Sequence, residues 1–184
     1  MTHRVLIDAC VLYPSVLRAL VLGCAKRGAF LPLWSERILE EWRRAAHKNE
    51  IGPMAQTEIA LLRADWRGAE VDVSGVPLAD LHLPDENDRH VLAAAIAGQA
   101  DELLTANTGD FPTRVLARHG VLRRHPDEFL LELARGDAGM MGDVIDRVHA
   151  DAEAMKGEGV NRRKMLQRCG LPRLAKWDGA GRAA

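Results

Sequence analysis

The stretch RVLIDAC, residues 4–10, decides the fold class of this chain. Its apolar run at residues 5–7 has the pattern of a buried strand, and Asp8 closes that run in a setting too apolar for a casual surface carboxylate. Further short apolar runs follow and alternate with segments of helical spacing. This alternation predicts βαβ units, and right-handed crossovers then place helices on both faces of a mostly parallel sheet. We therefore expect an α/β fold.

Five strands and several helices are predicted along the chain. The clearest helix is expected at residues 85–99, where apolar side chains recur on one face. After Asp127 no strand pattern remains, and the last part of the chain is rich in Lys and Arg. We expect a domain of residues 1–135 followed by a helical C-terminal extension of residues 136–184. The predicted strands are RVLI at 4–7, AFLPLW at 29–34, EVDV at 70–73, ELLTA at 102–106 and GVLRRH at 120–125.

Composition limits the class of protein. A chain of 184 residues can bury a sizeable core, and a formal net charge of -1 excludes a polybasic or strongly acidic protein. The three scattered cysteines include no CxxC pair, so they support neither a disulfide framework nor a zinc ribbon. No apolar stretch approaches a bilayer span, and the N-terminus lacks a signal-peptide layout. We expect a cytoplasmic protein with reduced thiols and no membrane segment.

Acidic residues lie where predicted strands end and helices begin. They are Asp8, Glu41, Asp85, Asp88 and Asp110. In an open parallel α/β sheet the carboxyl ends of the strands lie along one edge, and ligands bind there. Carboxylates from several elements would make that edge negative, and hard divalent cations such as Mg²⁺ or Mn²⁺ prefer oxygen ligands. The sequence therefore predicts a cation site at the sheet edge.

Each of these carboxylates also has a structural explanation. Asp85 resembles a helix N-cap with Asp88 three residues on, and Asp110 could cap a short helix that follows it. Helix geometry separates the neighbours Glu40 and Glu41, because Glu41 lies on the flank of the apolar face and Glu40 points nearly opposite, toward solvent. Separate structural roles do not explain why all of these carboxylates fall at the same predicted edge of the sheet, so the structural explanations are weaker for the group than for each residue alone.

Four sequence blocks resemble the motifs of PIN-domain ribonucleases, and most closely those of the VapC-like toxins of type II toxin–antitoxin modules. The resemblance covers roughly residues 4 to 130 and keeps the order and spacing of the family's blocks. The blocks are VLIDACVLYPS at 5–15, WSERILEEW at 34–42, LPDENDRHVLAAAIA at 83–97 and LLTANTGDFP at 103–112. The family's acidic positions map to Asp8, Glu41, Asp88 and Asp110. The helical C-terminal extension also resembles one found in a subgroup of VapC-like proteins.

This resemblance implies a three-layer α/β/α sandwich with a sheet of about five strands. It also implies an endoribonuclease that hydrolyses RNA phosphodiester bonds with a bound Mg²⁺ or Mn²⁺ and an activated water, leaving 5′-phosphate and 3′-hydroxyl ends. Asp8, Asp88 and Asp110 would hold the metal ion, and Glu41 would complete the catalytic cluster. A cognate antitoxin protein would neutralise the toxin, and homodimers are common in the family.

Other residues are candidates for supporting the site or holding RNA. Asp85 would support the carboxylates, and Asn107, which stands where many family members carry an acid, would hold a water or a phosphate. Arg89, Arg114 and Arg118 are candidate contacts to the RNA backbone, since cationic side chains attract phosphates without reading sequence. Further cationic candidates are Arg123, Arg124, Arg162, Arg163, Lys164 and Arg168.

Several competing classes can be weighed from the sequence. A haloacid-dehalogenase-like phosphatase needs a second Asp two residues after Asp8, where Cys10 stands, and a Rossmann nucleotide binder needs GxGxxG after the first strand. A mechanism through the RNA 2′-hydroxyl would use paired histidines, but those of this chain have no evident partner in the sequence and are interpreted as surface or core-edge residues. They are His82, His90, His119 and His125. Two alternatives stay open: a non-catalytic binding or regulatory module with the PIN fold, and a nuclease acting on DNA.

Overall fold

The computed structural model of the protein describes residues 3–49, 52–157 and 159–181. The described residues contain a small four-stranded parallel sheet. Its strands pair in the order second, first, third, fourth, and every pair is parallel. The strands are β1 (Arg4–Ile7), β2 (Leu31–Leu33), β3 (Glu102–Leu104) and β4 (Leu122–Arg124).

Helices connect and follow these strands. Short 3-10 turns also occur at Leu78–Asp80 and Glu86–Asp88. None of the described helices has both the length and the apolar composition that a membrane span needs. The helices are α1 (Ala9–Leu12), α2 (Ser15–Lys26), α3 (Glu36–Lys48), α4 (Gly52–Asp65), α5 (Arg89–Ala97), α6 (Thr113–Ala117), α7 (Pro126–Gly136), α8 (Ala138–Lys156), α9 (Arg162–Arg168) and α10 (Pro172–Gly181).

The two middle strands are the most deeply buried part of the sheet. Val5, Leu6 and Ile7 of β1 have no exposed surface, and neither do Leu103 and Leu104 of β3. Parallel strands in an α/β protein are buried on both faces and therefore read as continuous apolar runs rather than as alternating patterns. The predicted α/β class with a parallel sheet, flanking helices and helices at the C-terminal end is confirmed.

The segment EVDV at 70–73, predicted as a strand, does not form one. Only Glu70 makes a parallel bridge, with Trp34 directly after β2. Asp72 then turns the chain, because its carboxylate accepts hydrogen bonds from the backbone N–H and the hydroxyl of Ser74. The prediction of about five strands is therefore wrong by one within the described residues, which hold four strands and this single bridge.

The long helix predicted at residues 85–99 is shorter than expected. Asp85 accepts a hydrogen bond from the backbone N–H of Asn87 and so caps a 3-10 turn at Glu86–Asp88. The regular helix α5 begins only at Arg89 and ends at Ala97. Asp85 does act as a cap, but the element that it caps is a 3-10 turn that ends at Asp88 and not the first turn of an α-helix.

The chain divides into two compact units. The first consists of the described residues of Met1–Tyr13 and Phe30–Arg124, and the second of the described residues of Pro14–Ala29 and His125–Ala184. The first unit holds the sheet with α1 and α3 to α6, and within it α3 packs against α1 and α4. The division into residues 1–135 and 136–184 stays a prediction.

The second unit consists of α2 and α7 to α10. In it α8 packs against α2 and α7, and α10 packs against α7 and α9. A glycine permits the close approach of the first pair, because a Cβ added to Gly23 of α2 would lie 2.8 Å from a methyl group of Val144 on α8. This unit is therefore a helical assembly with its own packing contacts.

Candidate active site

Asp8 lies at the end of β1, where the strand turns directly into α1. Its backbone N–H donates to the carbonyl of Leu104 on the neighbouring strand at 3.1 Å, and its side chain is only 7% exposed. The carboxylate is fixed by two donors, since Oδ2 accepts from Thr105 Oγ1 at 2.7 Å and from Cys10 Sγ at 3.1 Å. Both donors bind Oδ2, so Oδ1 is the oxygen that remains for a cation.

Cys10 acts here as a hydrogen-bond donor rather than as a reactive thiol. Burial, and then the charge of Asp8, raise the pKa of Cys10 to about 12, so the thiol keeps its proton at neutral pH. Its sulfur also accepts from the backbone N–H of Ala106 at 3.3 Å. The thiol therefore links the start of α1 to the segment after β3.

Thr105, directly after β3, organises the same corner. It is fully buried, and its hydroxyl donates to Asp8 while accepting from the backbone N–H of Asn107 at 3.0 Å. One hydroxyl thus gives the buried carboxylate of Asp8 a hydrogen-bond donor, and it gives the N–H of Asn107, in the loop that leads to Asp110, an acceptor. The ends of β1 and β3 are therefore joined by the same polar contact.

Removal of this hydroxyl should destabilise the protein. We expect Thr105→Val to lower the free energy of unfolding by about 1–3 kcal/mol, because the N–H of Asn107 loses its acceptor and Asp8 loses a donor. Urea denaturation followed by circular dichroism measures the effect. Thr105→Ser keeps the hydroxyl and serves as the matched control. Equal stability of Thr105→Val and the wild type would show that this contact contributes nothing.

Asp88, at the end of its 3-10 turn, lies where burial and neighbouring negative charges disfavour an ionised carboxylate. Burial, and then the negative charges of its acidic neighbours, raise its pKa from 3.8 to about 6. Its Oδ2 is buried without a hydrogen-bond partner among the described residues. The neighbours that contribute are, in order, Asp8, Asp85, Asp110 and Glu41. The fold therefore brings the other four predicted acids within electrostatic range of Asp88.

These carboxylates do not form a finished metal cage. Within residues 3–49, 52–157 and 159–181, no group of three or more His, Cys, Asp or Glu side chains is close enough to hold a metal ion unaided. The donor set nevertheless suits a hard cation, because it is all oxygen and carries uncompensated negative charge at Asp88. Mg²⁺ usually binds through one or two carboxylates and keeps several waters, so it does not require such a cage.

Glu40 and Glu41, adjacent on α3, have different partners. Glu40 pairs with Arg43 and Arg44, and the hydrogen bond from Arg44 lowers the pKa of Glu40. Glu41 instead meets His90 of α5, with 2.7 Å between Glu41 Oε1 and His90 Nε2. Glu41 is thus the glutamate directed toward the acidic site, and Glu40 belongs to the charged surface of the helix.

Asp110 lies in the loop between β3 and α6. The side-chain amide of Asn107 donates to Asp110 Oδ2 at 2.5 Å, so the two residues of the final sequence block contact each other directly. Arg123 of β4 holds this loop from below, because its guanidinium donates to the carbonyls of Thr108 and Phe111 at 2.6 and 3.0 Å. Arg123 therefore helps to hold this loop, and its role as an RNA contact stays a prediction.

The arginines predicted to hold RNA differ in availability. Arg89 is 22% exposed in its side chain and pairs with Glu86, whereas Arg114 on α6 and Arg118, which caps the end of that helix, are exposed. Arg124 is also engaged, since it donates to the buried carboxylate of Glu102 at 2.9 Å. In the first unit Arg114 and Arg118 are therefore better placed to meet a phosphate backbone than the other predicted arginines.

A cationic groove between α3 and α4 was not predicted from the sequence. It has a volume of about 560 Å³, and basic side chains contribute most of its charged lining. Arg44 and Lys48, one turn apart on α3, are exposed there. The groove is lined by Glu40, Arg43, Arg44, His47, Lys48, Gly52, Pro53 and Gln56.

The basic end of the chain belongs to the second unit and is partly used for packing. Arg162 is held by Asp178, with Nε and Nη2 at 2.7 and 2.6 Å from its carboxylate oxygens, and also contacts Asp146. Arg163 and Lys164 are exposed on α9. Only part of the predicted basic tail is thus open to a partner.

The sequence interpretation missed two polar residues of the site. Thr105 was assigned to a strand, and His90 was interpreted as a surface or core-edge residue, but Thr105 is fully buried and His90 is 2% exposed. The available signal was weak: His90 lies two residues after the predicted ligand Asp88, and Thr105 is a polar residue at the end of an apolar run. Their partners Asp8 and Glu41 are 97 and 49 residues away in sequence, so spacing alone could not identify them.

Comparison with known proteins agrees with this geometry. The model of the PIN domain family matches residues 4–109, a segment that contains Asp8, Glu41 and Asp88 and ends one residue before Asp110. A 45-residue segment is 44% identical to a Mycobacterium tuberculosis protein named "Putative ribonuclease VapC50"; it covers 24% of this chain and 27% of that relative's length. No solved structure gives a significant match. The chain belongs to the PIN domain family.

Proposed function

We propose that this protein is a metal-dependent endoribonuclease and the toxin of a toxin–antitoxin pair. The observation that carries this proposal is the gathering of four further carboxylates around Asp88, whose Oδ2 is buried without a hydrogen-bond partner among the described residues. Such a cluster destabilises the protein unless a cation offsets it, and functional sites are where such arrangements are retained. The name of the Mycobacterium tuberculosis relative, a ribonuclease, supports the choice of RNA.

The carboxylates of the site would hold the cation. Asp8 would offer Oδ1, and Asp88 and Asp110 would complete the oxygen donors, with Glu41 and Asp85 adding negative charge nearby. When bound, Mg²⁺ or Mn²⁺ would lower the pKa of a water and stabilise negative charge on the phosphate. The protein's own contribution is to fix the carboxylates, which Thr105, Cys10 and Asn107 do by hydrogen bonds.

The RNA chain would be held by cationic side chains outside the carboxylate cluster. Exposed positive charge in the first unit comes from Arg114 on α6, from Arg118 at the end of that helix, and from the groove that contains Arg44 and Lys48. Contacts of this kind bind phosphates irrespective of base sequence. Affinity is therefore expected to fall steeply as the salt concentration rises.

The toxin role follows from the VapC resemblance. We expect a small antitoxin protein that covers the acidic site and places a Lys or Arg beside the carboxylates, and a cytoplasmic location for the pair. Homodimerisation belongs to the same proposal. An adjacent gene for a small DNA-binding protein, and co-purification of its product with this chain, are the expected findings, whereas an isolated gene would count against the toxin role.

A second candidate is a non-catalytic PIN module that binds a partner at this edge. The lack of a finished three-ligand cage within the described residues is the observation that favours it. The cluster of five acids disfavours it, because a binding role gains nothing from the repulsion at Asp88.

Product analysis separates the candidate functions. Matched RNA and DNA oligonucleotides would be incubated with the protein and Mn²⁺, and the ends of the fragments identified by mass spectrometry. We expect cleavage of RNA that leaves 5′-phosphate and 3′-hydroxyl ends. A 2′,3′-cyclic phosphate would contradict hydrolysis by an activated water, and cleavage of DNA alone would establish the DNA-nuclease alternative.

A further inference from the structure

His90 is a buried histidine whose one described polar contact is a carboxylate of the acidic site. It lies on α5 two residues after Asp88, and its side chain is 2% exposed, whereas that of Glu41 is 35% exposed. The 2.7 Å contact between His90 Nε2 and Glu41 Oε1 therefore connects the protein interior to a side chain at the edge of the site.

The other ring nitrogen identifies which tautomer makes this contact. His90 Nδ1 is buried and has no hydrogen-bond partner among the described residues. A proton on Nδ1 would be an unpaired buried donor, and a carboxylate can only accept, so we assign the proton to Nε2. In this form the neutral imidazole donates to Glu41 and leaves the negative charge of the carboxylate in place.

The hydrogen bond from His90 restricts the orientation of the Glu41 side chain. A partly exposed glutamate has several rotamers, and fixing it costs up to about 2 kcal/mol of side-chain entropy. The bond from His90 fixes Oε1 and leaves Oε2 directed away from the imidazole. Glu40, the adjacent glutamate, shows the alternative: its carboxylate is turned to Arg43 and Arg44 on the helix surface.

We propose that His90 is a positioning residue that holds Glu41 in the acidic site and thereby increases the affinity of the site for a divalent cation. This inference rests on the proposed metal-dependent function and extends it to a residue outside the carboxylate cluster. The inference takes Glu41 as a carboxylate that contacts the cation directly or through a water, and residues that hold such a group alter metal affinity by about 10- to 100-fold when they are replaced.

The test is calorimetric titration of Mn²⁺ into the purified full-length protein. We expect His90→Leu to weaken Mn²⁺ binding by about 10- to 100-fold. His90→Gln, whose amide can still donate to Glu41, should restore most of the affinity. In the double variant His90→Leu with Glu41→Gln, binding should equal that of Glu41→Gln alone, since the two residues act through one contact.

The outcomes separate this inference from the function on which it rests. If His90→Leu and His90→Gln both bind Mn²⁺ within about twofold of the wild type, while Asp8→Asn abolishes binding, His90 is only a structural residue and the inference is overturned. If Asp8→Asn also binds Mn²⁺ like the wild type, the carboxylate site itself is wrong and both proposals fail. If His90→Leu does not fold, His90→Asn takes its place: its shorter amide does not reach the position of Nε2, so the same loss of Mn²⁺ affinity is expected, and affinity equal to that of His90→Gln overturns the inference.

Discussion

Asp8→Asn should abolish RNA cleavage while leaving the fold intact. The substitution keeps an oxygen that can accept from Thr105, and the new amide group then occupies the position of Oδ1. The site loses one negative charge and the oxygen left for a cation. We expect cleavage to fall by on the order of a hundredfold to a thousandfold, as for removal of one preorganised electrostatic group. Gel analysis of RNA digests under Mn²⁺ measures the loss.

Asp80→Asn is the matched control for this variant. Asp80 lies in the 3-10 turn at Leu78–Asp80 and is exposed, so its substitution makes the same chemical change outside the acidic site. Its cleavage rate should equal that of the wild type. An Asp8→Asn protein that cleaves RNA as fast as Asp80→Asn would show that the carboxylate at the end of β1 has no part in the chemistry.

Asp88→Asn should make the metal-free protein more stable and, at the same time, inactive. A carboxyl whose pKa is raised from 3.8 to about 6 binds its proton more tightly in the folded protein than in the unfolded chain. Its contribution to stability therefore falls as the pH rises from about 4 through 6, and the full penalty is present at neutral pH. Asparagine removes that penalty.

The expected gain is modest, because Asp88 is only partly buried. A shift of this size corresponds to about 3 kcal/mol in a fully buried site, and solvent screening reduces it to about 1–2 kcal/mol. Urea denaturation in EDTA at pH 7.5 and at pH 4 measures the effect, which should be present at the higher pH and small at the lower. Mn²⁺ should stabilise the wild type and not the variant. A variant less stable than the wild type at pH 7.5 would contradict the repulsion at Asp88.

The parts of the fold that the sequence predicts best are those set by local patterns. The apolar run before Asp8 predicts a buried strand, and the structure has one, because a parallel strand covered on both faces needs no polar alternation. The segment EVDV alternates acidic and apolar residues, as a half-buried strand does, but it forms only the bridge at Glu70. What ends it is a side-chain contact between Asp72 and Ser74 that competes with strand pairing.

For the site, too, local sequence patterns predict positions but not the contacts between residues far apart in sequence. Helix periodicity places Glu41 and Glu40 on different sides of α3, and in the structure the two glutamates have different partners. Periodicity cannot supply the partner itself, because His90 reaches Glu41 across 49 residues of sequence. Contacts of this kind depend on how strands and helices are brought together, so they become visible only when the sheet order is known.

Metal-dependent cleavage tests the central claim most directly. Structured RNAs such as tRNAs and ribosomal RNA fragments would be incubated with the wild type and with Asp8→Asn, first in EDTA and then after restoration of Mg²⁺ or Mn²⁺. We expect the wild type to be inactive in EDTA and to recover with the metal, and Asp8→Asn to stay inactive throughout. Cleavage that persists in EDTA, or in Asp8→Asn, would contradict a carboxylate-held cation as the basis of activity.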